Sequence, residues 1–171
     1  MKKVIYFVVS AIVFLSCESK VEIVDKVDVR TEKQAINEML DNWHKSAAEA
    51  NFETYFKAMS NKSIFIGTDA SENWNINDFK TFSKPYFDKG KAWSFTAIKR
   101  NIYIEGKIAW FDELLDTHMG ICRGSGVITK SENTWKIEHY VLSLTIPNDN
   151  IDAVKLINKE KDSLFLKFLK E

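Results

Sequence analysis

Histidine is scarce in this chain of 171 residues, and the three present, His44, His118 and His139, show no His-x-x-x-His or Glu-x-x-His spacing. That excludes the common helical metal site, and neither a metal nor another cofactor is expected. Cysteine is rarer still: Cys17 and Cys122 are too few for a thiolate metal cluster. Six glycines make neither a phosphate loop nor a dinucleotide-binding fingerprint. The single Gly-Ser-Gly, at 124–126, lies inside a strand pattern rather than at a strand-to-helix elbow, so Ser125 has nothing to activate it as a nucleophile. Charge of one sign is absent as well, because 24 basic residues balance 24 acidic ones with no basic run. A nucleic-acid partner is therefore not expected.

What is present begins at the N-terminus. Lys2 and Lys3 precede a twelve-residue apolar run, Val4 to Leu15, too short to span a bilayer. The run ends at "FLSC", which resembles the lipobox of bacterial lipoprotein signals, although Phe14 replaces the usual small aliphatic residue. The resemblance implies a signal peptide over 1–16, acylation of Cys17, and a protein held in the bacterial cell envelope by acyl chains. Cys122 is then the only thiol left, and no internal disulfide can form. The charged stretch at 17–30 reads as a tether. The 155 residues that follow cleavage suit one domain with its own core.

Thr31, with Gln34 three residues on, has the form of a capping box. Ile36, Met39, Leu40, Trp43 and Ala47 follow at helical spacing. A second helix is expected after Asn51. A short strand is expected over 63–67, and a third helix from Asn75, which Pro85 breaks or kinks and Gly90 ends. From Trp93 to Thr145 the period changes to two, with turn residues at 105–106, 119–120 and 131–133. Those four strands form an antiparallel meander. Pro147 ends it, and an amphipathic helix covers Asn150 to Lys170.

Helices, a short strand and a meander that needs one face covered make an α+β arrangement. This order, together with "NWHKSAAEANFETYFKAMSNKSIFIGT" at 42–68, "RGSGV" at 123–127 and "WKIEHYVLS" at 135–143, resembles the nuclear transport factor 2-like superfamily. That group holds ketosteroid isomerases, scytalone dehydratase, SnoaL-like polyketide cyclases and the association domain of calmodulin-dependent kinase. The resemblance implies a cone-shaped roll over 31–147, three helices against a curved, mainly antiparallel sheet, with a C-terminal helix at 148–171. It identifies a fold, and only weakly a function.

Side chains on the inner face of the sheet decide the chemistry of such a cone, so strand parity matters most. Along 108–117, composition favours Ala109, Phe111, Glu113, Leu115 and Thr117 as the inner set. Overlaying "IAWFD" on the kinase association domain implies the reverse, with Asp112 inside. Following the resemblance, Asp112 and Tyr140 are the candidate catalytic pair, and burial among aromatics penalises the charged form of Asp112. Trp43, Tyr55, Phe65, Trp74, Trp93 and Trp110 are the candidate ligand-binding residues. Glu113, Arg123 and His139 then share the outer face and a homodimer interface.

A true ketosteroid isomerase is not expected. The positions of its base, its tyrosine and its protonated acid fall at or next to Gly67, on Trp43, and at Cys122 or Arg123. The expectation is a cell-envelope lipoprotein binding a small, largely apolar molecule. Its alternatives are an isomerase, cyclase or dehydratase using Asp112 and Tyr140 on a polyketide- or steroid-like substrate, and a structural dimerisation module.

Overall fold

The computed structural model describes residues 28–171. The signal segment, Cys17 and most of the expected tether lie outside the described residues.

Helix α1, Val29–Ala48, starts two residues before the expected capping box. Asp28 is the cap: its carboxylate accepts from the Arg30 backbone N–H at 3.1 Å and from the Thr31 hydroxyl at 2.6 Å. A carboxylate satisfies an orphan N–H and suits the positive end of the helix dipole, which is why Asp28 takes the position from Thr31. The end of the expected tether, Val29 and Arg30, is thus helical. Helix α2, Phe52–Lys57, is capped by Asn51, as its sequence suggests.

Strand β1, Met59–Ile66, is longer than expected. It pairs antiparallel with a short strand β2, Asn73–Asn75, which the sequence reading did not separate from the following helix. Asn75 ends β2 and caps α3, Ile76–Asp88, accepting from the backbone N–H groups of Asn77 and Asp78. Pro85 does not end α3, which runs on to Asp88 with Pro85 on its exposed side.

The meander consists of β3, Phe95–Glu105, β4, Ile108–Thr117, β5, Gly120–Ser131, and β6, Thr134–Leu144. Its turns use left-handed residues where expected, with Gly106 and Gly120 in two of them and the Glu132–Asn133 pair in the third. The sheet order is β2-β1-β6-β5-β4-β3, and β1 lies parallel to β6. A 3-10 turn, Asn148–Asn150, leads from β6 into helix α4, Ile151–Lys170.

The sheet curls around α1, α2 and α3, and the core fills the space between them. Ile36, Leu40 and Ala47 of α1 meet Leu115, Ile128 and Ile137 of the sheet, all fully buried. At its N-terminal end α1 is tied to the β5–β6 hairpin: Glu32 accepts from Lys130 Nζ at 2.6 Å and from Trp135 Nε1 at 2.7 Å. The Lys130 hydrogen bond, helped by that of Trp135, outweighs burial and holds the Glu32 carboxyl below its ordinary range.

Candidate functional site

Two features occupy the inside of the cone, a buried carboxylate and an apolar cleft, and they are separate. The carboxylate is Glu113, 1% exposed. It stands opposite Arg100 on β3 and Gly124 on β5. Its Oε1 lies 2.8 Å from His44 Nε2 and accepts from the Tyr140 hydroxyl at 3.0 Å. Its Oε2 accepts from Arg100 Nε at 2.8 Å, and Arg100 Nη2 lies at the same distance in ion-pair contact. An ionised carboxylate is acceptor-only, so His44 Nε2 carries the proton in that bond.

Burial alone would push the Glu113 carboxyl up, but His44 and Arg100 together outweigh it and hold the group below its ordinary range. Tyr140 moves the other way, raised well above its usual value by burial and by the negative charge of Glu113. Arg100 continues to α1, donating from Nη1 to Asp41 Oδ1 at 2.8 Å and to Asn37 Oδ1 at 3.1 Å. The cluster therefore bolts α1 to β3, β4 and β6 through six side chains.

Gly124 makes room for it. A Cβ there would lie 2.1 Å from the Tyr140 hydroxyl oxygen and 2.9 Å from Glu113 Oε1.

The cleft opens where β1, α3 and the β4–β5 turn converge. Its volume is about 170 Å³, and its walls include Phe65, Trp74, Phe79, Trp93, Met119 and Leu142. Polar groups are few, mainly Thr68, Glu72 and His118 at the rim. Phe65 and Phe79 stack at 4.1 Å between centroids, and Trp74 stacks on Phe82 at 4.4 Å, so the walls are flat rings held by other rings. Tyr55 packs edge-on against Trp93, and Trp43 stacks on Tyr55 in the layer behind. A wider polar depression of about 430 Å³ adjoins the cleft and shares Trp93 and His118 with it.

The SnoaL-like domain family matches residues 36–147, from within α1 to just past the end of the meander. The chain belongs to that family. The SnoaL-like domain is also similar in fold to a nuclear transport factor 2-like protein of unknown function from Pseudomonas putida, with TM-score 0.60 and 8% identity over 71% of this chain and 92% of that one. A nuclear transport factor 2-like protein from Cytophaga hutchinsonii gives 0.57 at 11% identity, over 67% and 98%. The association domain of calmodulin-dependent kinase II from C. elegans gives 0.56 at 20%, over 67% and 97%. A comparison with curated proteins finds no match by sequence.

The expected orientation of β4 needs correction. Asp112 points outward, half-buried, where both its oxygens accept from the Asn101 side-chain amide at 3.0 and 3.1 Å. Glu113, expected on the outer face beside Arg123, is the inner acid. The inner set of the SnoaL-like domain is Ala109, Phe111, Glu113 and Leu115, the set its composition favours and the opposite of the one that the kinase overlay implied. In a strand a slip of one residue moves every side chain to the other face.

Trp110 goes outward with Asp112, 44% exposed and stacked on Tyr103. Of the six aromatic candidates, Phe65, Trp74 and Trp93 line the cleft, Trp43 and Tyr55 form the packed layer behind it, and Trp110 is outside. Tyr140 is inside, joined to Glu113 rather than to Asp112. Arg123 is exposed and His139 half-buried on the outer face.

His44 and Arg100 were missed, and both carried a signal. His44 stands four residues after Leu40 on the buried side of α1, and Arg100 shares the parity of the inward-facing Ile102 on β3.

Proposed function

We propose that this SnoaL-like domain binds one small, largely apolar molecule, of the size of a single substituted ring, in the cleft between Phe65, Trp74, Phe79, Trp93, Met119 and Leu142. The observation that carries the reading is the cleft's size and lining: about 170 Å³ with almost wholly apolar walls. An engineered apolar cavity of about 150 Å³ takes up benzene, whereas drug-sized ligands need roughly 300 to 1,000 Å³. Glu72 and His118 at the rim supply the polar contacts that orient a substituent.

Binding is favoured over a reaction at the buried acid. Both Glu113 oxygens are occupied by protein donors, its carboxyl is held ionised, and the Tyr140 proton is given to it. A general base or acid must reach its substrate. Glu113 and Tyr140 do not line the cleft. Filling the cleft with Met119→Trp is the test: binding is expected to fall at least tenfold with little change in melting temperature, and undiminished binding rejects the site.

The anchor is part of the same proposal. "FLSC" at 14–17, after the apolar run, supports acylation of Cys17 and a place in the bacterial cell envelope. Labelled fatty acid should enter the wild-type chain and not Cys17→Ala, and an unlabelled wild type sinks the anchor.

A further inference from the structure

Helix α4 is twenty residues long and, among the described residues, buries none of its side chains. Val154 and Phe165 are half-buried, while Ile157, Leu164, Phe168 and Leu169 stand in solvent, each more than 60% exposed.

The arrangement of its last two turns indicates what covers it. At about 100° per residue, Leu164, Phe168, Phe165, Leu169 and Leu166 sweep roughly 200° of the helix circumference, and Ser163, Lys167 and Lys170 fill the rest. A helix that packs on one protein surface needs an apolar stripe of a little over 100°. An arc of twice that width suits a medium that surrounds the helix to half its depth. Lys167 and Lys170 stand on the narrow face, with Asp162 and Glu171 flanking the segment and Glu171 Oε1 4.0 Å from Lys167 Nζ. Leucine and phenylalanine on the wide face with lysine on the narrow one is the pattern of a helix lying in a lipid interface. Among the described residues no helix is long and apolar enough to cross a membrane.

We propose that α4 docks on a lipid surface, with Leu164, Phe165, Phe168 and Leu169 below the headgroups and Lys167 and Lys170 at the level of the phosphates. The proposal is independent of the cleft and of acylation at Cys17.

The test uses the full chain carrying Cys17→Ser, since Cys122 is buried and an added cysteine then takes an environment-sensitive dye alone. The dye is placed by Phe168→Cys on the wide apolar face or by Ser163→Cys opposite it. Vesicles of phosphatidylethanolamine and phosphatidylglycerol carry a nitroxide in the acyl chain. The dye at 168 is expected to shift to the blue and lose most of its fluorescence to the nitroxide, while the dye at 163 keeps its own. In the unlabelled chain Phe168→Ser should weaken vesicle association by about tenfold or more.

An unquenched dye at 168 overturns the proposal, as does equal quenching at both positions. A blue shift at 168 that needs no vesicles and grows with protein concentration overturns it in favour of a second copy of the chain.

Discussion

Glu113→Gln is expected to lower the melting temperature of the domain by about 10 °C, the consequence of roughly 3 kcal/mol lost from a buried ion pair. The carboxylate is fully enclosed and accepts from His44, Tyr140 and Arg100. An amide offers one oxygen acceptor where the carboxylate offers two, and it sets an N–H group against one of those donors. It also leaves the Arg100 charge, whose side chain is only 6% exposed, without its buried partner. Desolvation then costs more than the lost attraction.

The pH dependence has a definite sign. Because the folded carboxyl lies below its ordinary value of 4.5, Glu113 stabilises the fold above that pH, and the contribution is lost as pH falls through the folded value. The gap between wild type and Glu113→Gln should therefore be full at pH 7 and close on acidification below about 4.5. Asp112→Asn is the control. Its half-exposed side chain meets only Asn101, so the change should stay within about 0.5 kcal/mol. Thermal melts of both variants from pH 7 to pH 3.5 check this, and a harmless Glu113→Gln contradicts it.

Trp110→Glu is expected to convert a homodimer into a monomer, weakening self-association by at least thirtyfold, as the loss of an aromatic hot spot worth 2 kcal/mol or more does. The outer face of the sheet carries a row across five strands in register: Tyr103, Trp110, Val127, His139 and Ile64. Tyr103 and Trp110 stack there at 5.8 Å and remain nearly half exposed. In the homodimer proposed here, a second copy about a two-fold axis would bury that row on both sides, with His139 within it as a polar contact. The substitution touches no core residue, so the fold should survive it. Sedimentation velocity at micromolar concentration decides the matter, and a wild-type monomer there removes the dimer from the account.

Most of the fold was legible because its signals are local. Asn51 and Asn75 cap helices, the glycines at 106 and 120 and the Glu132–Asn133 pair make turns, and the two-residue period from 95 to 144 marks the meander. Pro85 does not break α3, because a proline past the first turn of an α-helix costs stability without forbidding the helix, and here it is exposed, while Gly90 follows the C-cap as expected. Strand β2 escaped notice because three residues have no period to read.

The site was less legible, for a physical reason. Charges in β4 are read as solvent-facing unless their partners are known. The partners of Glu113 lie 69 residues away in α1, 13 away in β3 and 27 away in β6. The composition of β4 placed Glu113 inward, and the resemblance to the kinase association domain placed it outward. Gly124, opposite Glu113, is the local clue that an inner group there needed space.

The central claim is that the apolar cleft holds the ligand while the Glu113 cluster holds the fold, and calorimetric titration of the full chain with toluene tests it most directly. Three proteins suffice: wild type, Met119→Trp, which fills the cleft, and Tyr140→Phe, which removes a donor to Glu113 without touching the cleft wall. Saturable one-to-one binding by wild type and Tyr140→Phe, with binding lost in Met119→Trp, is the predicted result. Binding that survives in Met119→Trp and disappears in Tyr140→Phe would contradict it.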